Sequence, residues 1–176
     1  MQCKIVGKVT NGNVGIGTTA PTELLVVAGN ANITGTLYKG TSAYTNPDIA
    51  EKMSSNDNLD FGDVVVADKQ TPLYVTTSKT AYDRTVLGVV SANATMVIGN
   101  VNGGSGTPIA VVGRVKVKVT NENGNIAIGD SLTTSNEEAY AMKCSSIEQC
   151  HGSIIGKALE PLSQKRGKIW ILVAMQ

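Results

Sequence analysis

The sequence is short of the residues that most often carry chemistry. It has one histidine, one phenylalanine and one tryptophan in 176 residues. Aromatics make up 4% and charged residues 16%, against roughly 25% charged in ordinary soluble domains. His151 stands alone and no second cysteine pair exists, which argues against a metal centre. The net charge of +1 offers no basic patch to nucleic acid or to an acidic membrane surface. No run of about eighteen apolar residues occurs, so no spanning helix is expected. Met1-Gln2-Cys3-Lys4 is not followed by an apolar stretch, and no signal peptide is visible. A phosphate-cradling loop is missing too, because Gly103-Gly104-Ser105-Gly106 lacks the lysine and helix such a loop needs.

What remains is a chain rich in small turn-formers, with 19 glycines and 41% apolar residues. Asn, Thr, Ser and Val are abundant. That is the composition of an all-β, turn-rich, durable extracellular protein. The length allows one good core, or a smaller core plus an extension. Of the three cysteines, Cys144 and Cys150 are six apart. They form a loop staple in an oxidising compartment, or two free buried thiols in a reducing one. Cys3 is left over as a candidate interchain link. Asn32-Ile33-Thr34 and Asn93-Ala94-Thr95 are candidate N-glycosylation sequons; the alternative is chance in a chain so full of Asn and Thr.

Residues 1–38 read as an assembly segment. Between Asn11 and Gly35 the strand words are very short and glycines break them. The apolar points are Val14, Ile16, Leu24, Val26 and Ile33, with Leu37 just beyond. Strands this short cannot enclose a core alone, since strands average about five or six residues and need partners on a buried face. The segment must borrow its core from other chains; the alternative is an ordinary Gly-rich hairpin pair within a monomer. Residues 39–60 read as a linker. Asn46 as N-cap, Pro47 in the first turn, and Asp48 and Glu51 near the positive end predict a short helix over Pro47–Met53.

Residues 61–176 read as a β-rich globular domain. Val64–Val66, Leu73–Val75, Val86–Val90, Thr95–Ile98, Ile109–Val119, Ile154–Ala158 and Ile169–Val173 are predicted strands, the last fully buried. Shorter ones fall near Ile126–Ile128, Leu132–Thr133 and Tyr140–Met142. An internal repeat runs through them. Phe61–Val66 matches Ile128–Thr133, Leu73–Val75 matches Ala139–Ala141, and Val86–Val90 matches Ile154–Ala158, at offsets of 67, 66 and 68. The expected fold is a compact barrel or sandwich with internal two-fold duplication, its halves at about 61–108 and 120–176, bridged by Ile109–Val119.

Candidate chemistry is thin. The repeated Gly-Asp pairs at Asp63 and Asp130 suggest an aspartate dyad, but glycine and aspartate also build tight turns, which is the stronger reading. Ser78-Lys79 as a dyad fails because neighbours on a strand face opposite ways. Asn56–Asp60 is acidic but lacks the spacing of a calcium loop. No catalytic, cofactor or metal residue is assigned, and no cofactor is expected.

Two stretches resemble known families. Gly12–Pro21, Leu24–Asn30 and Ile33–Leu37 look like the "GNVGIGTTxPxxxLxVxGNxxITGTL" unit of bacterial surface fibres, phage tail fibres and neck appendages. That resemblance implies a shaft in which three chains share one core. Asp48-Ile49-Ala50-Glu51, Gly62–Val65 and Leu87–Ser91 resemble the C-terminal domain of phage neck appendages and related fibre proteins. Some members of that group are trimerisation chaperones that cut themselves off after folding; others stay as structural caps. The expected function is a non-enzymatic structural subunit of an extracellular fibre or virion appendage. Its expected partner is itself, as a homotrimer or else as an end-to-end polymer by strand exchange. A self-cleaving chaperone and a glycan-binding tip are the alternatives. The tip is disfavoured by the scarcity of aromatics.

Overall fold

The computed structural model describes residues 7–10, 12–34, 46–99 and 106–174. Cys3, Leu37 and most of the glycine-rich loop before Gly106 lie outside the described residues. The chain divides into two compact units, Met1–Ser42 and Ala43–Gln176. The first is a three-stranded sheet of β1 (Gly7–Thr10), β2 (Asn13–Ile16) and β3 (Leu25–Val27). β1 and β2 form an antiparallel pair, and β3 joins β2 in parallel.

The second unit starts where a linker was expected. Asn46–Ser55 is a ten-residue strand, β4, not a short helix. Capping signals are weak priors that tertiary pairing overrides. β4 pairs with a long strand, β9 (Thr107–Thr120), from Asp48↔Gly113 to Met53↔Thr107, and Asp48 and Ala50 point inward. Pro47 suits this as well as it suits a helix, because a proline near a strand start withholds a hydrogen bond where few are needed.

Between them run β5 (Val64–Ala67), β6 (Tyr74–Thr77), β7 (Val86–Val90) and β8 (Ala94–Ile98). After β9 come β10 (Ser131–Thr134), β11 (Ala141–Lys143), one helical turn α1 (Ile147–Cys150), β12 (Ile154–Ala158) and β13 (Arg166–Val173). The pairings close twice. β4–β6–β5–β7–β9 returns to β4, and β9–β11–β10–β12–β13 returns to β9. The result is two five-stranded barrels that share β9, the last strand of the first and the first strand of the second. Closure removes most of the sheet edges that would otherwise invite foreign strands; β8 lies outside both circuits, paired to β4.

The duplication is therefore wider than the sequence repeat suggested. β4 is the counterpart of the second part of β9. Each runs parallel to its hairpin strand, Ser55↔Val75 in one barrel and Val119↔Ala141 in the other. Local detail repeats as well. Both first ladders carry an irregularity at the same place, between Val65 and Val66 and between Leu132 and Thr133. Asp63 Oδ2 accepts from the Asp60 amide and Asp130 Oδ2 from the Ala127 amide. Leu73 and Ala139 sit at the same turn position, with φ of 68° and 66°.

Each barrel has its own filling. The first holds Val65, Val75, Val90 and Ile109, with Met53, Leu59 and Leu87 packed against them. The matching positions of the second are Leu132, Ala141, Ala158, Ile171, Val117, Ile126 and Ile155, all in one buried cluster. The opposite face of the first barrel, with Val64, Val66, Val86, Val89 and Ala110, belongs to that same cluster. It is therefore packed against the second barrel. The clean alternation in Val115–Val119 holds, with the three valines buried and the lysines between them on the outer side. β13 is not buried on both faces as expected. Ile169, Ile171 and Val173 face in, while Lys168 and Leu172 face solvent and Trp170 is half-buried beneath Lys116, whose Nζ lies 5.5 Å from the ring centre. A barrel wall has an outside, which a continuous apolar run conceals.

Candidate functional site

Among its described residues, the first unit pairs strands while burying almost no side chain. Among described residues 12–34, Gly15 is the single buried residue. Ile16 is 45% exposed, Leu24 75% and Ile33 52%, and Val14 and Val26 are half-buried. The backbone is satisfied locally, for example by the Val14 amide on the Leu24 carbonyl at 2.7 Å and the Ala28 amide on the Ile16 carbonyl at 2.8 Å. The apolar side chains are not.

Among the described residues, the barrel unit exposes apolar side chains in several places, three of which bear on the argument. On the wall of the first barrel, Met96, Ile49 and Val112 form one cross-strand row over β8, β4 and β9, each between 38% and 52% exposed. At its mouth Leu73 is 95% exposed, beside a cavity of about 360 Å³ lined by Met53, Tyr74, Val75, Leu87, Glu51 and Asp68 among others. On the second barrel Ile147, in α1, is 85% exposed.

One buried polar group is unsatisfied in a way that invites a functional reading. Asp48 is 1% exposed, and neither carboxylate oxygen has a hydrogen-bond partner. Burial pushes its carboxyl above the usual aspartate range; the Ser91 hydroxyl and the residue's own backbone work against that. Ser91 Oγ is itself buried without a hydrogen bond of good geometry. β9 presses on this corner: a side chain on Gly113 would come within 2.7 Å of the Asp48 Cα.

The residues singled out from sequence fall as follows. Asp63 and Asp130 are not a dyad. Asp63 takes Lys118 Nζ at 2.5 Å and Asp130 takes Lys143 Nζ at 2.9 Å, each beside its own turn amide. Burial works against the charge on Lys118, but its hydrogen bonds to Asp63 and Asp60 outweigh that and raise its pKa. Asp57, from the acidic loop, accepts from Thr76 Oγ1 at 2.6 Å and the Thr77 amide at 2.9 Å, and these bonds lower its pKa. It ties that loop to β6. Ser78 is buried and Lys79 exposed, just past the end of β6. His151 is exposed, as are Asn32 and Asn93. Cys144 and Cys150 are joined in a disulfide, with Cα atoms 6.1 Å apart. Sequence reasoning missed Asp48 and Leu73. Asp48 was read as a helix-dipole residue, and nothing in composition marks Leu73 as a left-handed turn residue.

No protein-family model matches the sequence, and no curated protein matches it. Among solved structures the fold matches pre-mature gene product 12 of bacteriophage phi29, with a TM-score of 0.59 at 13% identity. The match covers 84% of this chain and 24% of that one. The chain thus spans about a quarter of that protein's length, and what the two share is the fold.

Proposed function

We propose that this protein is a structural subunit of an extracellular fibre, filament or phage-type appendage, and that it works by self-assembly rather than catalysis. The carrying observation is the first unit. It has a hydrogen-bonded sheet whose apolar side chains lie on the surface, the arrangement expected of a strand set that completes its core with other copies. Three chains meeting through Val14, Ile16, Leu24, Val26 and Ile33 would supply that core, with the barrels as a globular head. The likeness to a phage gene product supports a virion or cell-surface setting. The Cys144–Cys150 bond suits an oxidising one. The test is the mass of the purified full chain in solution, by light scattering and native mass spectrometry. A trimer, or an end-to-end polymer by strand exchange, supports the reading. A stable monomer at every concentration sinks it.

Asp48 favours a second reading, a self-cleaving trimerisation chaperone. It is a buried carboxyl held toward its neutral form at the start of the barrel unit, within the Asp48–Glu51 stretch that resembles such domains. The phi29 neighbour is described as pre-mature. Mass spectrometry of a longer precursor separates the readings. A single cut near the shaft, abolished by Asp48→Asn, supports the chaperone; an intact precursor in a fully assembled trimer removes it.

A further inference from the structure

The two barrels contact each other in one direction. The second barrel's hairpin, Thr134 to Tyr140, docks on the first barrel's loop after β6. Ala139 bonds at both ends, its amide to the Ser78 carbonyl at 2.8 Å and its carbonyl from the Val64 amide at 3.0 Å. The Tyr82 amide donates to the Thr134 carbonyl, and the Asp83 amide to Thr134 Oγ1 at 2.7 Å. Ala139 ends 6% exposed.

The reciprocal contact is not made. Leu73, the counterpart of Ala139, is 95% exposed on the first barrel's hairpin. On the second barrel, the loop that corresponds to Ser78–Asp83 runs through Cys144–Cys150. The most exposed large apolar side chain of that loop is Ile147, at 85%. The hairpin around Leu73 and the Cys144–Cys150 loop that carries Ile147 are thus the two halves of a contact the fold makes once and leaves open once. Leu73 also holds a left-handed φ of 68°, a conformation uncommon outside glycine, asparagine and aspartate.

We infer that the first-barrel hairpin around Leu73 docks on the disulfide loop Cys144–Cys150 of a second copy of this chain, repeating between chains the contact that joins the two barrels within one. A one-way contact repeated between copies closes into a ring or runs on as a filament. Here it closes at three chains and six barrels, a step that rests on the trimer reading above. The disulfide then holds the docking loop in shape before a partner arrives.

The experiment places a photo-reactive benzoylphenylalanine at position 73 of the full chain and maps the cross-link by mass spectrometry. An interchain product on the peptide spanning 143–150 is expected. Leu73→Asp and Ile147→Lys should each weaken association at least tenfold, and the two together should restore it, because the new charges pair across the contact. An assembled trimer that cross-links elsewhere or not at all, or single variants that associate like wild type, would overturn this contact and leave assembly standing. A wild-type monomer would overturn the assembly reading itself.

Discussion

Replacing Gly156 by alanine tests whether the second barrel is truly closed. Gly156 lies where β12 crosses β13. A Cβ there would sit 2.1 Å from the Leu172 carbonyl oxygen and 3.0 Å from the Val173 Cα, both backbone. Restoring ordinary contact needs roughly 1.3 Å of separation, from 2.1 Å to the 3.4 Å where such contact begins. Backbone cannot rotate out of the way as a side chain can. In an open sheet the edge would swing aside. In a closed circuit the displacement must be taken up at another seam. Overpacking of this kind costs about 1–3 kcal/mol, and each ladder hydrogen bond it loosens about 1 more. A loss of about 3–4 kcal/mol is therefore expected, from a typical total of roughly 5–15. With a urea slope of about 2 kcal/mol per molar, the midpoint should fall by about 1.5–2 M. Gly88, the counterpart in the first barrel, has a Cβ position 2.4 Å from the Ala110 carbonyl oxygen and a φ of +153°, so Gly88→Ala should cost at least as much. Gly129→Ala is the control. It has a φ of +89° but nothing within 4 Å, so only the backbone term of about 1 kcal/mol applies. A Gly156→Ala midpoint within about 0.3 M of wild type, or a larger loss for Gly129→Ala, would refute the closed-barrel geometry.

Three other outcomes follow from the structure. Reducing Cys144–Cys150, or replacing both residues by serine, should cost about 2 kcal/mol for a loop this short, read as a lower urea midpoint with reductant than without. Lys118→Met leaves Asp63, whose side chain is 5% exposed, without its cation; a loss of about 2–3 kcal/mol is expected in thermal or urea melts. Asp48 has a folded pKa above its ordinary 3.8, so the folded chain keeps that proton to higher pH than the unfolded chain does. Its contribution therefore favours folding at low pH and is lost as pH rises through 3.8 and then through the folded value. Asp48→Asn should accordingly match wild type near pH 3 and be the more stable protein at pH 7, in parallel urea titrations; equal stability at both pH values would refute this.

The β class, the repeat and the Gly-Asp turns were legible because they depend on local chemistry. Asp63 and Asp130 cap their own turns within three residues, and a glycine followed by an aspartate writes that directly. The extent of the repeat was not legible, because β4 and its counterpart in β9 share geometry rather than letters. Asn46–Ser55 carries helix-start signals and an aspartate, while Gly113–Thr120 alternates valine with lysine. Each is a strand because neighbouring strands pair with it on both sides. The outer faces were hidden for a related reason. Leu172 and Trp170 look like core in a run of apolar residues, and only the closed wall shows which of them face out. For the candidate surfaces, sequence pointed to Leu24 and Ile33 through strand length, but it had no way to single out Leu73. Its exposure is meaningful only beside the buried Ala139.

That comparison separates what the fold needs from what assembly needs. Where the barrels agree, as in the turn carboxylates, the ladder irregularity and the left-handed turn, the shared feature builds the barrel. Where they differ, the difference follows contact. The outer wall that packs within the chain carries Val64 and Val89; the matching positions of the second barrel are Ser131 and Lys157. A surface buried during folding never meets water in the finished chain and can be fully apolar. A surface that waits for another chain stays exposed until that chain arrives, and must remain soluble meanwhile. Serine and lysine at two positions of that wall suit such a surface, although Leu172, which matches Ala110, stays apolar and exposed. If the docking proposed above holds, the second barrel's wall would serve the same geometry as the first, rewritten for a partner that comes later.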